Sequence, residues 1–73
     1  MKKTQRYERR LAAAREGDEI SILQTYNREI EAQRTRMKAS HNGFIRTCCR
    51  QEIDQLRAEK DAIEAEVVGG NGY

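Results

Sequence analysis

Apolar side chains recur at steps of three and four along two long, proline-free stretches of the chain. This spacing keeps one face of an α-helix apolar, whereas a half-buried β-strand would alternate at every second residue. The positions expected to form the core or a dimer interface are Leu23, Tyr26, Ile30, Met37, Ile45, Ile53, Leu56 and Ile63. The pattern therefore predicts an all-α fold built from two long helices.

One turn signal, His41-Asn42-Gly43, separates the two stretches. Asn and Gly accept the positive φ angles that the end of an α-helix often requires. We therefore expect an antiparallel helical hairpin over residues 16–68, with its turn near residues 40–43. The glycine-rich end of the chain predicts a flexible tail over residues 69–73.

Two interpretations remain open where Gly17 and Asp18 interrupt the first stretch. Gly17 could end a short helix and Asp18 could cap the next one, or one helix could pass through at a cost of ~1 kcal/mol. We expect a continuous or slightly kinked helix, because the apolar stripes on either side are nearly in phase.

The chain has 73 residues, 37% hydrophobic and 36% charged, which allows one small domain of amphipathic helices. Two helices that meet along one seam bury little apolar surface, so a lone hairpin should be marginally stable. A symmetric homodimer is the commonest way to cover such a seam. We therefore expect two hairpins to form a four-helix bundle.

Charge is unevenly distributed along the chain. Residues 1–15 carry six basic residues and one acidic residue, a net of +5, whereas residues 51–73 carry a net of −4. With a turn near residue 42, the first 15 residues should extend beyond the second helix as a basic helical overhang.

Two surfaces are candidates for binding a partner. The first is the overhang, where aromatic, aliphatic and basic side chains alternate, and the second is the hairpin turn. The candidate residues are Arg6, Tyr7, Arg10 and Leu11 on the overhang, and His41 and Phe44 at the turn. The overhang could instead pack on the acidic helix of a second subunit, and the turn could be a simple connection.

The sequence offers no recognisable catalytic or metal-binding motif. His41 is the only histidine and no second cysteine pair accompanies Cys48 and Cys49, so four zinc ligands are not available. On a helix, one of these adjacent cysteines should face the core and the other its edge. We expect no cofactor, no metal and no small-molecule substrate.

No apolar run approaches the length of a membrane span or a signal sequence, so we expect a cytoplasmic protein without a membrane partner. The composition favours a non-enzymatic homodimer that binds another protein stoichiometrically, as an adaptor or inhibitor. A phage- or plasmid-type regulator of a host protein would have this character. The alternative is a helical dimer that binds RNA or DNA through its basic N-terminal helix.

Overall fold

The computed structural model describes residues 1–68 as an all-helical chain. Helix α1 spans Gln5–Ala13, and residues 14–18 join it to the next helix through a kink at Gly17, whose backbone angles are not helical. Helix α2 spans Glu19–Ala39, helix α3 spans Gly43–Ile63, and a π-helical segment, Glu64–Val68, continues α3. Helices α2 and α3 pack against each other as the predicted hairpin. The predicted tail over residues 69–73 lies outside the described residues.

The turn between α2 and α3 lies where the sequence predicts it, but neither Asn42 nor Gly43 adopts the positive φ angle that we expected there. The Asn42 side chain accepts hydrogen bonds from the backbone N–H groups of Phe44 and Ile45, at 2.8 and 3.2 Å. Such a cap satisfies donors that the first turn of a helix leaves unpaired. Helix α3 therefore begins at Gly43 with its first turn fixed.

Gly17 changes the path of the chain between α1 and α2. Its φ angle is +112°, a value that residues with a Cβ rarely adopt. Asp18 precedes α2 but makes no side-chain capping hydrogen bond. The prediction of a continuous or slightly kinked helix is wrong, because the left-handed conformation of Gly17 breaks the helical path between α1 and α2.

After this break, α1 lies back along the hairpin. Arg10 contacts both Tyr26 and Glu29 of α2, and Arg6 contacts Glu59 of α3. A straight helix would separate residues 10 and 26 by about 24 Å. The predicted overhang over residues 1–15 is therefore wrong, because α1 covers part of its own hairpin.

The core lies between the three helices. Five of the eight predicted stripe positions are buried: Tyr26, Ile30, Ile53, Leu56 and Ile63. Met37 is half-buried against this cluster, whereas Leu23 and Ile45 are half-buried outside it. Tyr7 and Ala14 supply buried side chains from the N-terminal region. The N-terminal region thus provides cover that we expected from a second subunit.

Candidate binding surfaces and an internal polar network

Glu59 is a fully buried acidic residue, and its carboxylate accepts five hydrogen bonds. Arg6 donates from Nε at 3.0 Å and from Nη2 at 2.8 Å, and the Tyr26 hydroxyl donates at 2.8 Å. The Gln55 amide donates at 2.7 Å and the Thr4 hydroxyl at 3.1 Å. A buried carboxylate needs this degree of pairing, since an unpaired charge would be expelled to water or neutralised.

The network ties all three helices together. Thr4 and Arg6 come from the start of the chain, Tyr26 from α2, and Gln55 and Glu59 from α3. The same Thr4 hydroxyl accepts a hydrogen bond from the Tyr7 backbone N–H at 3.0 Å and so caps α1. The start of α1 is therefore fixed by the same contacts that satisfy the buried charge.

Arg10 forms a second link between α1 and α2. Its two terminal nitrogens each lie 2.7 Å from a Glu29 carboxylate oxygen, and its guanidinium carbon lies 4.7 Å from the centre of the Tyr26 ring. This combines a bidentate ion pair with a cation–π contact. The same tyrosine thus contacts one arginine through its ring and the buried carboxylate through its hydroxyl.

These contacts shift the pKa values of the groups involved. Burial alone would raise the pKa of Glu59, but hydrogen bonds from Arg6, Gln55 and Tyr26 outweigh it and lower the pKa from 4.5 to about 2. Burial and the bond to Glu59 raise the pKa of Tyr26. The bond from Arg10 lowers the pKa of Glu29. Glu59 is therefore ionised at neutral pH, with donors already filling its oxygens.

The four predicted binding residues of α1 contact their own chain. Tyr7 is buried, and Leu11 is half-buried against the core cluster. Arg6 and Arg10 are ion-paired with glutamates of α3 and α2. Arg6 and Arg15 of the basic segment thus pair with glutamates of the acidic segment within one chain.

The hairpin turn, by contrast, is open. Phe44 is 77% exposed and His41 is exposed. The Asn42 cap holds the first turn of α3, so Phe44 projects from an ordered backbone. Of the two predicted surfaces, only the turn leaves its predicted residues accessible.

The part of the chain around the turn is strongly basic. Residues 32–51 contain no Asp or Glu, and their basic residues are Arg34, Arg36, Lys38, Arg46 and Arg50. We call residues 32–51 the basic end. Of these side chains, only Arg34 is ion-paired within residues 1–68, with Glu31 at 2.7 Å. This acid-free stretch lies in the middle of the chain, so the contrast between the basic and acidic ends does not reveal it.

Open grooves with mixed charged and apolar linings lie along the hairpin. The groove next to the basic end is lined by Arg34, Met37, Arg46, Arg50, Ile53, Asp54 and Arg57.

Within residues 1–68, no group of three or more His, Cys, Asp or Glu side chains is placed to hold a metal ion. Cys49 is buried and Cys48 is exposed, as their adjacent positions predict.

Within residues 1–68, no helix combines the length and apolar character needed to cross a bilayer.

Comparison of the chain with known proteins found no matching family model, no matching curated protein and no matching solved structure. A functional interpretation therefore depends on the surfaces described above.

Proposed function

We propose that this chain is a non-enzymatic binding protein that acts stoichiometrically on another protein, as an adaptor or inhibitor. The observation that carries this proposal is the exposed Phe44, presented from a fixed helical turn at the basic end. Aromatic and arginine side chains dominate the binding energy of many protein interfaces. The partner it fits has an acidic surface around an apolar pocket.

Rigidity of the turn supports this proposal. The Ser40 hydroxyl accepts a hydrogen bond from the Asn42 N–H at 3.1 Å, and Asn42 in turn caps α3. A preordered turn loses less conformational entropy on binding than a flexible loop. The unpaired cysteines are compatible with action in the cytoplasm, where thiols stay reduced.

A second candidate is binding to RNA or DNA, and the acid-free composition of the basic end favours it. Each phosphate neutralised by Lys or Arg releases counterions, so such binding weakens steeply with salt. The surface involved would be the basic end, since Arg6, Arg10 and Arg15 of the N-terminal region are paired with glutamates.

The test compares Phe44→Ala with Ile20→Ala, which removes another large, exposed apolar side chain far from the turn. Tagged wild-type and variant chains are incubated with nuclease-treated and untreated cell extract. We expect the wild type and Ile20→Ala to retain a specific protein after nuclease treatment. Phe44→Ala should retain about one tenth of that amount or less.

Other outcomes decide between the proposals. Retention that disappears with nuclease, together with salt-sensitive binding of a defined oligonucleotide, would favour the nucleic-acid alternative. Equal retention by wild type and Phe44→Ala would refute a binding role for the turn.

A further inference from the structure

Six charged side chains form a row along one side of α3 and the segment that follows it. They are, in order, Arg46, Arg50, Asp54, Arg57, Asp61 and Glu64. They line three successive open grooves, and successive members stand three or four residues apart, as required for one stripe on a helix. We call these six residues the charged row.

The ion pairs of the N-terminal region do not involve the charged row. The ion pairs from the N-terminal region reach Glu52, Glu59 and Glu66 on another side of this helical segment. Within residues 1–68, none of the six row residues has an ion-pair partner within 4.0 Å, although Arg50 and Asp54, and Arg57 and Asp61, are four residues apart. The chain itself therefore leaves these charges unpaired.

The order of charges in the row is self-complementary. From Arg46 to Glu64 the signs are plus, plus, minus, plus, minus, minus. Each position has the opposite sign to its mirror position about a midpoint between Asp54 and Arg57. A two-fold axis at that midpoint, perpendicular to the helix, brings mirror positions of two copies together.

We propose that a second copy of this chain docks on the charged row, with the two α3 helices antiparallel. In this arrangement Arg46 faces Glu64 of the second copy, Arg50 faces Asp61, and Asp54 faces Arg57. The two-fold axis repeats each pair, so all twelve charges meet an opposite charge. Met37 is half-buried and lines the groove beside the row, where it offers apolar surface that arginine stems can cover.

Charge pattern favours a second copy over other occupants. A parallel copy in the same register would place like charges opposite each other. A uniformly acidic protein or a nucleic acid would meet three carboxylates in the same row, which disfavours it. Only an antiparallel copy pairs both halves of the row.

Charge reversal tests this pairing. Arg50→Glu and Asp61→Arg each place two like-charged pairs in the dimer, so each variant should dimerise at least about tenfold more weakly than wild type. An equimolar mixture of the two variants should recover association, because both contacts between different variants join opposite charges. Residues 50 and 61 are eleven positions apart on one helix, so intrachain pairing cannot produce this recovery.

The measurement is sedimentation velocity over a concentration series, with far-UV circular dichroism to establish that each variant stays helical. Arg9→Glu is the matched control: it reverses an exposed arginine of α1, away from the row. We expect wild type and Arg9→Glu to dimerise equally, and their association to weaken as NaCl increases.

Several results would overturn the proposal. These are a wild-type monomer at all concentrations, unchanged dimerisation of either row variant, or a mixture that stays monomeric. The proposal does not depend on a partner at Phe44, because the tests at the turn and at the row use different residues and different measurements.

Discussion

The buried carboxylate of Glu59 gives the most quantitative prediction. Glu59→Gln keeps the size of the side chain but removes its charge and replaces one acceptor by a donor. The donors that converge on this position, from Arg6, Tyr26, Gln55 and Thr4, would lose their acceptor or face another N–H group. Buried donors without a partner cost about 1–3 kcal/mol each.

The pKa shift gives the magnitude. A fall from 4.5 to about 2 means that the folded chain prefers the ionised form of Glu59. At about 1.4 kcal/mol per pKa unit, ionisation stabilises the folded state by about 3 kcal/mol. Small domains are stable by only about 5–15 kcal/mol, so we expect Glu59→Gln to lower the free energy of unfolding by about 3 kcal/mol or more.

The same shift predicts how stability depends on pH. Because the folded-state pKa is the lower one, the contribution is complete above pH 4.5 and is lost as the pH falls towards 2. Glu29 also has a lowered pKa and adds to acid unfolding, so the wild type and variant must be compared. Glu59→Gln should show a shallower loss of stability across this pH range.

Urea unfolding followed by far-UV circular dichroism, at several pH values, measures both effects. Glu16→Gln is the matched control, since Glu16 is exposed and makes no ion pair within residues 1–68. It should change stability by no more than about 0.5 kcal/mol. Equal stability of the two variants at neutral pH, or equal pH dependence of Glu59→Gln and wild type, would refute the reasoning.

Three further predictions follow from single residues. Gly17→Ala should destabilise the chain by about 1–2 kcal/mol in urea unfolding because of its φ angle, whereas Gly43→Ala, in open space at ordinary φ, should be neutral or slightly stabilising. A destabilised Gly43→Ala with an unaffected Gly17→Ala would contradict this. Tyr26→Phe should cost about 1–3 kcal/mol, since the hydroxyl donates to a buried carboxylate, and a variant as stable as wild type would show that this bond is absent. Cys48 should react with a thiol reagent under native conditions and Cys49 only after unfolding, as mass spectrometry of labelled peptides would show. Equal native reactivity would contradict the burial of Cys49.

Sequence reasoning was sufficient for the hairpin because its signals are local. Asn42 and Gly43 mark the turn, and the spacing of Tyr26, Ile30 and Ile53 identifies the apolar faces. These features depend on residues only a few positions apart. The all-α fold and its turn were therefore predictable from the chain alone.

The position of α1 was not predictable in the same way. Gly17 allows either a kinked helix or a reversal, and the choice depends on whether Tyr7 finds a buried place in the tertiary structure. The complementary charge of the two ends of the chain was visible, but sequence could not show whether the pairing lies within one chain or between two.

Glu59 was missed for a related reason. From sequence alone, a glutamate between Leu56 and Ile63 is expected to be an ordinary surface residue. Its burial is possible because Arg6, which is 53 residues away in the sequence, pairs with its carboxylate. Glu59 is fully buried, whereas the next residue, Lys60, is only half-buried. Long-range pairing of this kind leaves no periodic signal.

The return of α1 onto its own hairpin is the central claim, and one NMR measurement tests it most directly. The sample is a mixture of labelled and unlabelled chains, which selects contacts within one molecule. We expect nuclear Overhauser cross-peaks between the Arg10 side chain and the Tyr26 ring, because the guanidinium carbon lies 4.7 Å from the ring centre. Absence of these cross-peaks, with uninterrupted helical contacts between residues i and i+4 through Gly17, would show a straight helix and contradict the account.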